Sequence, residues 1–370
     1  MQKLAPYVPG RPIEDVEREF GIAGAVKLAS NENPLGPSPK AVAAALAVTP
    51  SVHLYPDGSA TFLRRALSER HGVPAEQIVI GSGSCELIDI CTRTFVDPGE
   101  EVVVPAGIFR MFPVAAGRAG ATFVEVPTKA GHVPDIDALL RRIGPATKLV
   151  ALANPNNPTG AYASRADVDR LFAGLPGHVV AVIDEAYFEF ARETTDYPDS
   201  LDYLRAGHNV AILRTFSKIY GLAGLRIGYA FASPDIAAAM NKVREPFNTT
   251  TVAQAAAVAA LTDDEHRERT LALVREERAF LAREIGKRGA VVNPSLGNFL
   301  LVELPIPFGP IEPEFARRGV ILRPMGGWGF PLAFRLSVGR HDENLRFLSV
   351  FDELLEAGRL GLTAAAPCAG

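Results

Sequence analysis

Residues 178–218 read HVVAVIDEAYFEFARETTDYPDSLDYLRAGHNVAILRTFSK. Two apolar runs, His178-VVAVID and Asn209-VAILR, begin and nearly end it, and neither alternates polar with apolar residues. An unbroken run of Val, Ile, Leu and Ala is what a strand buried on both faces requires, because each face of the pleat meets its own hydrophobic layer. Similar runs lie on either side: Gln77-IVI, Glu101-VVVP, Thr122-FVEV, Lys148-LVALA and Leu225-RIGYAF. Between them stand stretches of helical period such as CELIDICTRTF and SRADVDRLFAGL. This repetition predicts an α/β fold with a mostly parallel, helix-covered sheet.

After Pro246 the pattern changes. A long amphipathic helix is expected from about Asp263 to Arg288, with Leu271, Val274, Leu281 and Ile285 on one side. Strands follow near Asn298-FLLVEL, Gly319-VILRPM and Ala333-FRLSV, then a closing helix from about Asp342 to Glu356. The expected division is an N-terminal arm with part of a small domain in 1–40, a large domain in 41–245, a smaller α/β domain in 246–358 and a tail in 359–370. A chain of 370 residues and 39.5 kDa suits one large domain plus a smaller one. Within the arm, Asn31-ENPLGPSP reads as extended chain rather than as a core element.

Composition removes several classes. Lys+Arg 38 against Asp+Glu 42 gives a net charge of -4, which argues against a nucleic-acid binder, since that affinity rests on clustered basic charge. The most apolar stretches, 41–48 and 254–261, are short and mostly Ala, whereas a membrane span needs roughly 20 apolar residues. The start, MQKLAPYVPG, carries no long apolar run of the kind a signal peptide has. Cys85, Cys91 and Cys368 are few and odd in number, which fits a reducing cytoplasm. His71, His132, His178, His208 and His266 are scattered without zinc spacing, so no metal is expected.

In an open parallel sheet, ligands sit beyond the carboxyl ends of the strands. After Gln77-IVI comes Gly81-SGSCE, where glycines allow a tight turn and a helix N-terminus attracts an anion. It is neither a Walker loop nor a dinucleotide fingerprint, because no GK[ST] follows and position 86 is Glu. Taken alone it is better read as a helix cap. After Lys148-LVALA, Asn154-PNNPTG presents Asn157; alone, a surface turn. His178-VVAVID ends on Asp184, whose carboxylate is costly at the end of so apolar a strand unless paired. Thr215-FSK places Ser217 and Lys218 at the next edge, followed by Gly221-LAGLR with Arg226.

Together these residues change meaning. Asn157, Asp184 and Lys218 are 27 and 34 residues apart, and one strand–helix–strand unit takes about 30 residues, so all three reach one rim. An anion cup, an amine able to condense with an aldehyde, and a carboxylate facing a cationic ring nitrogen describe the site of pyridoxal 5'-phosphate.

From about Pro6 to Leu355 the chain resembles the fold-type-I pyridoxal-phosphate aminotransferases, and within them the histidinol-phosphate aminotransferase family. The resemblance rests on KLASNENPLGPSP, HLYPDG, GSGSCELI, ANPNNPTG, VIDEAYFEF, RTFSKIYGLAGLRIGY, PFNTTTVAQAAA and FRLSVG. It implies that Lys218 holds the cofactor covalently and later carries the proton between substrate Cα and the cofactor. It implies that Asp184 pairs with the pyridinium nitrogen, and that Asn157 and Tyr187 bond the phenolic oxygen. Ser84, Cys85, Ser217 and Arg226 would hold the phosphate, with Tyr55 reaching it from a neighbouring subunit of a homodimer. Two departures stand out. Where the family stacks a Tyr on the ring, Gly107-IFRMF offers Phe109, or Phe112 instead; and Cys85 stands where an acidic residue or Asn is common.

The resemblance also makes Arg335, which on its own reads as a partner for a local carboxylate, the clamp for glutamate's carboxylate or the phosphate of histidinol phosphate. Arg323 and Tyr7 would assist, and Asn157 would touch substrate. The expected function is transamination of L-histidinol phosphate with 2-oxoglutarate, giving imidazole acetol phosphate and glutamate, in histidine biosynthesis. Rival readings are an aromatic amino acid aminotransferase and a decarboxylase of a phosphorylated amino acid. A DNA-binding regulator is disfavoured by the short arm before Asn31, and a nicotinamide dehydrogenase by the failed glycine fingerprint.

Overall fold

The computed structural model describes residues 10–362. All seven expected strands of the larger sheet form, in the spatial order 78–81, 228–232, 210–215, 180–184, 147–153, 101–105, 122–126. Pairing is parallel throughout except around Gly228–Ala232, which runs antiparallel to both neighbours. The continuous apolar runs have the reason anticipated, except that Thr122–Val126, at the sheet edge with one paired neighbour, buries only Val126. Val150, Leu152, Ala181, Ile183, Val210 and Ile212 face one hydrophobic layer. Leu149, Ala151, Val182, Ala211 and Leu213 face the other. Successive residues thus alternate between two cores rather than between core and water.

A second sheet, wholly antiparallel, joins Arg323–Pro324, Ala333–Ser337, Phe299–Glu303 and Val291–Asn293 in that order. The long helix runs Asp264–Lys287. Its Leu271 packs on a core layer of the seven-stranded sheet, whereas Leu281 and Ile285 enter the core beside the four-stranded one. The expected strand Gly319-VILRPM divides: Val320–Ile321 pairs in parallel with Val26–Lys27, and Arg323–Pro324 pairs with Ala333–Ser337. The chain changes partner at Leu322.

The arm departs from expectation. It contains a helix, Ile13–Phe20, and its extended part buries Asn31, Asn33 and Ser38. Asn31 and Ser38 are each 1% exposed. Polar residues survive there because they are bonded: Asn31 N–H donates to Ser337 Oγ at 2.7 Å, and Asn33 Nδ2 to the Ile219 carbonyl at 2.8 Å. A Cβ on Gly221, whose φ is +68°, would lie 2.2 Å from the Gly36 carbonyl oxygen. The backbone of the arm rests directly on the loop behind Lys218, and only glycine allows that approach. Among the described residues no helix is long and apolar enough to cross a membrane, and no cluster of His, Cys, Asp and Glu is placed to hold a metal ion.

Candidate active site

One cavity of about 230 Å³ opens at the carboxyl ends of the parallel strands. Ser84, Cys85, Phe109, Asn157, Asp184, Tyr187, Ser217, Lys218, Arg226, Arg323 and Arg335 all line it. The sheet register explains the convergence. Ala153 pairs with Asp184 and Asp184 with Leu213, so the loops bearing Asn157 and Lys218 leave neighbouring strands beside that carboxylate.

The cup forms where the Ile78–Gly81 strand turns into the Ser84–Phe95 helix. Gly83 has φ +80° and ψ 169°, open essentially to glycine alone. A Cβ there would fall 2.6 Å from Arg226 Nη2, so the guanidinium packs against the bare backbone. Arg226, itself left-handed at φ 54°, donates to the Ala223 carbonyl at 2.8 Å and reaches Ser217 Oγ at 3.5 Å. Thr215 Oγ1 donates to Ser217 Oγ at 3.0 Å and accepts from Ser217 N–H at 3.1 Å, fixing that hydroxyl. Glu86, which broke the dinucleotide pattern, braces the loop from outside: its carboxylate accepts from Ser82 N–H and Asn248 Nδ2. Burial raises the Cys85 thiol above its ordinary pKa despite the nearby Arg226, so it stays a neutral small residue of the first helical turn.

Asp184 is 4% exposed, and burial pushes its pKa up to about 7 against the pull of the Ala186 N–H and Lys218. Burial first, then the Arg335 guanidinium, pushes the Lys218 amine down to about 8; it donates to the Ser30 carbonyl at 3.4 Å. The floor thus holds a carboxylate and an amine that both titrate near neutrality, the pattern of groups prepared for proton chemistry. Tyr187 Oη accepts from Asn31 Nδ2 at 2.9 Å and Asn157 Nδ2 at 3.3 Å. Arg335 donates to Asn157 Oδ1 at 2.5 Å and to the Ala29 carbonyl at 2.7 Å. Arg323 and Arg335 are direct cross-strand partners on one wall.

One alternative falls elsewhere. Phe112 is 1% exposed in the core beneath the sheet, so Phe109, not Phe112, lines the cavity. Tyr55 does not line the cavity of its own chain; it is 83% exposed and stacks on Phe247 at 4.8 Å. Tyr7 lies outside the described residues. The sequence reading missed Asn31, Thr215 and the Ala29 and Ser30 carbonyls. The motif KLASNENPLGPSP contains three of these four, but its Pro and Gly content pointed to an arm.

The model of the class I and II aminotransferases matches residues 23–350. The chain belongs to this family. It is 48% identical over 355 residues to the histidinol-phosphate aminotransferase of an Anaeromyxobacter species, covering 96% of this chain and 97% of that one. It is 44% identical over 360 residues to histidinol-phosphate aminotransferase 1 of Nitrosococcus oceani, covering 97% and 96%. A crystal structure of histidinol-phosphate aminotransferase from Sinorhizobium meliloti, in complex with pyridoxal-5'-phosphate, matches with a TM-score of 0.87 at 29% identity, over 96% of each chain. This aminotransferase is a pyridoxal-phosphate enzyme, and its residues fit that group: donors around an anion cup, a flanking aromatic ring, a buried carboxylate and a neutralisable lysine meet in one cavity.

Proposed function

We propose that this aminotransferase transfers the amino group of L-histidinol phosphate to 2-oxoglutarate, giving imidazole acetol phosphate and L-glutamate in histidine biosynthesis. The observation that carries the reading is the arginine pair. Arg323 and Arg335 face each other across antiparallel strands on the cavity wall. Like charges set directly opposite cost stability, and a phosphate monoester, with close to two negative charges, offsets that cost better than one carboxylate does. The names of the relatives at 48% and 44% identity support the same reading.

Bound pyridoxal phosphate supplies an aldehyde that takes up the donor amine and a ring that accepts the electron pair left at Cα. Lys218 would hold the cofactor and, once the substrate amine has replaced it, its amine, lowered to about 8 by burial, would carry the Cα proton to the carbon that had been the cofactor's aldehyde. Asp184 keeps the ring nitrogen protonated; its own proton affinity in the dry floor falls once a cation sits beside it. Asn157 and Tyr187 orient the phenolic oxygen, and Arg335 fixes Asn157 through the 2.5 Å bond. Ser84, Cys85, Ser217 and Arg226 would bind the phosphate, and Phe109 would pack against the ring. Arg335 and Arg323 receive the distal anion of each substrate in turn, because both half-reactions use one pocket.

The functional unit is a homodimer in the cytoplasm, with Tyr55 reaching the partner's phosphate cup. Leu46, Val52, Leu54, Tyr55, Phe62 and Phe247 are large, apolar and exposed, a concentration that a second copy would cover. We also divide the chain as an arm in 1–40, a large domain in 41–245, a small domain in 246–358 and a tail in 359–370.

A half-reaction tests the proposal. Cofactor-loaded protein mixed with histidinol phosphate and no acceptor should release one equivalent of imidazole acetol phosphate per site. Release of carbon dioxide from a phosphorylated amino acid, with no keto product from histidinol phosphate, would establish the decarboxylase instead.

A further inference from the structure

We infer that Trp328 is a positioning residue for Phe109, setting the tilt of the ring that lies on the cofactor. The inference rests on Phe109 being the stacking ring and deepens that assignment. A tyrosine at this position can be oriented by its hydroxyl; Phe109 has none, so packing alone must hold the ring. Phe109 is half-buried and belongs to two apolar clusters at once. On one side it meets the layer beneath the seven-stranded sheet. On the other it meets Leu301, Met325, Trp328 and Ala333, all from the four-stranded sheet and its turn. The Trp328 ring lies 6.0 Å from the Phe109 ring at 41°, with the indole only 9% exposed.

A second contact grips the same loop. Phe330 sits on Gly107, two residues before Phe109: a Cβ at Gly107 would meet Phe330 Cζ at 2.7 Å. The His132 ring backs Phe330 edge-on at 5.1 Å, and His132 Nε2 lies 3.2 Å from Glu303. Trp328 and Phe330 are themselves fixed, because both backbone N–H groups donate to the Met325 carbonyl, at 2.9 and 3.1 Å. That turn hangs from the Arg323–Pro324 strand, and Arg323 lines the cavity. One short segment therefore carries an anion-binding side chain and the indole that shapes the stacking ring.

Trp328 is the sole tryptophan of the chain, so it reports on itself. In the wild-type protein, loading with pyridoxal phosphate should quench tryptophan emission. Trp328→Ala should alter the visible circular dichroism of the bound cofactor and weaken its affinity roughly threefold to tenfold, the range expected for one aromatic pair. Trp328→Phe should restore both, and Trp328→Leu serves if the alanine variant does not fold. Wild-type dichroism and cofactor affinity in Trp328→Ala or Trp328→Leu would overturn the positioning role while leaving the cofactor assignment intact. A wild-type protein whose emission is unchanged by bound cofactor would overturn the stacking assignment, and this inference with it.

Discussion

Gly83→Ala tests the cup with two separable effects. The first is conformational. At φ +80° and ψ 169° an alanine is strained, at a cost of about 1 to 3 kcal/mol, and this appears in urea unfolding of the cofactor-free protein. The second is local. The new methyl would lie 2.6 Å from Arg226 Nη2, so the guanidinium must shift from its place in the cup while the Ser84 and Cys85 N–H groups stay. Losing one charge-assisted bond costs about 1.5 to 3 kcal/mol, which is roughly 10- to 100-fold in affinity for pyridoxal phosphate. Titration of the cofactor into each protein, followed by absorbance, measures it. Arg226→Ala is the control: it should match the affinity loss without the folding cost. Wild-type cofactor affinity in both Gly83→Ala and Arg226→Ala would refute the part given to Arg226 in holding the phosphate.

Lys218→Ala should abolish turnover, and borohydride treatment of the loaded parent should fix cofactor to the peptide bearing Lys218 and to no other lysine. Asp184→Asn should lower kcat by roughly 10² to 10³ in the loaded enzyme. In the cofactor-free protein the sign reverses: the folded state holds the Asp184 proton up to about pH 7, so the parent loses stability as pH rises from about 4 to 7. The variant escapes that loss and should be the more stable at pH 8, by as much as about 4 kcal/mol at 1.36 kcal/mol per pH unit, with the difference gone near pH 4; urea unfolding at both pH values checks this. Arg323→Ala should reduce kcat/KM for histidinol phosphate about 10- to 100-fold while sparing phenylalanine, whereas Arg335→Ala should harm every substrate, glutamate included.

The large sheet was legible because a strand buried on both faces leaves a signature no surface strand shares, as in Lys148-LVALA and Asn209-VAILR. The site was legible because parallel topology brings the ends of consecutive units to one rim, so 27 and 34 residue spacings sufficed for Asn157, Asp184 and Lys218. Asn31 escaped because its burial depends on bonds to Ser337 and Tyr187, 306 and 156 residues away. No local pattern announces such partners. The split at Leu322 escaped for the same reason: Val320 and Ile321 take their partner from the arm. Trp328 escaped because its contact with Phe109 joins segments more than 200 residues apart, across two sheets.

The most direct measurement is kcat/KM for a panel of amino donors, histidinol phosphate, phenylalanine, tyrosine and threonine phosphate, each with 2-oxoglutarate under one set of conditions. The paired arginines predict that histidinol phosphate exceeds phenylalanine and tyrosine by at least about tenfold, the value of one charge-assisted bond. Phenylalanine or tyrosine turning over with the higher kcat/KM would contradict the account and make this enzyme an aromatic amino acid aminotransferase.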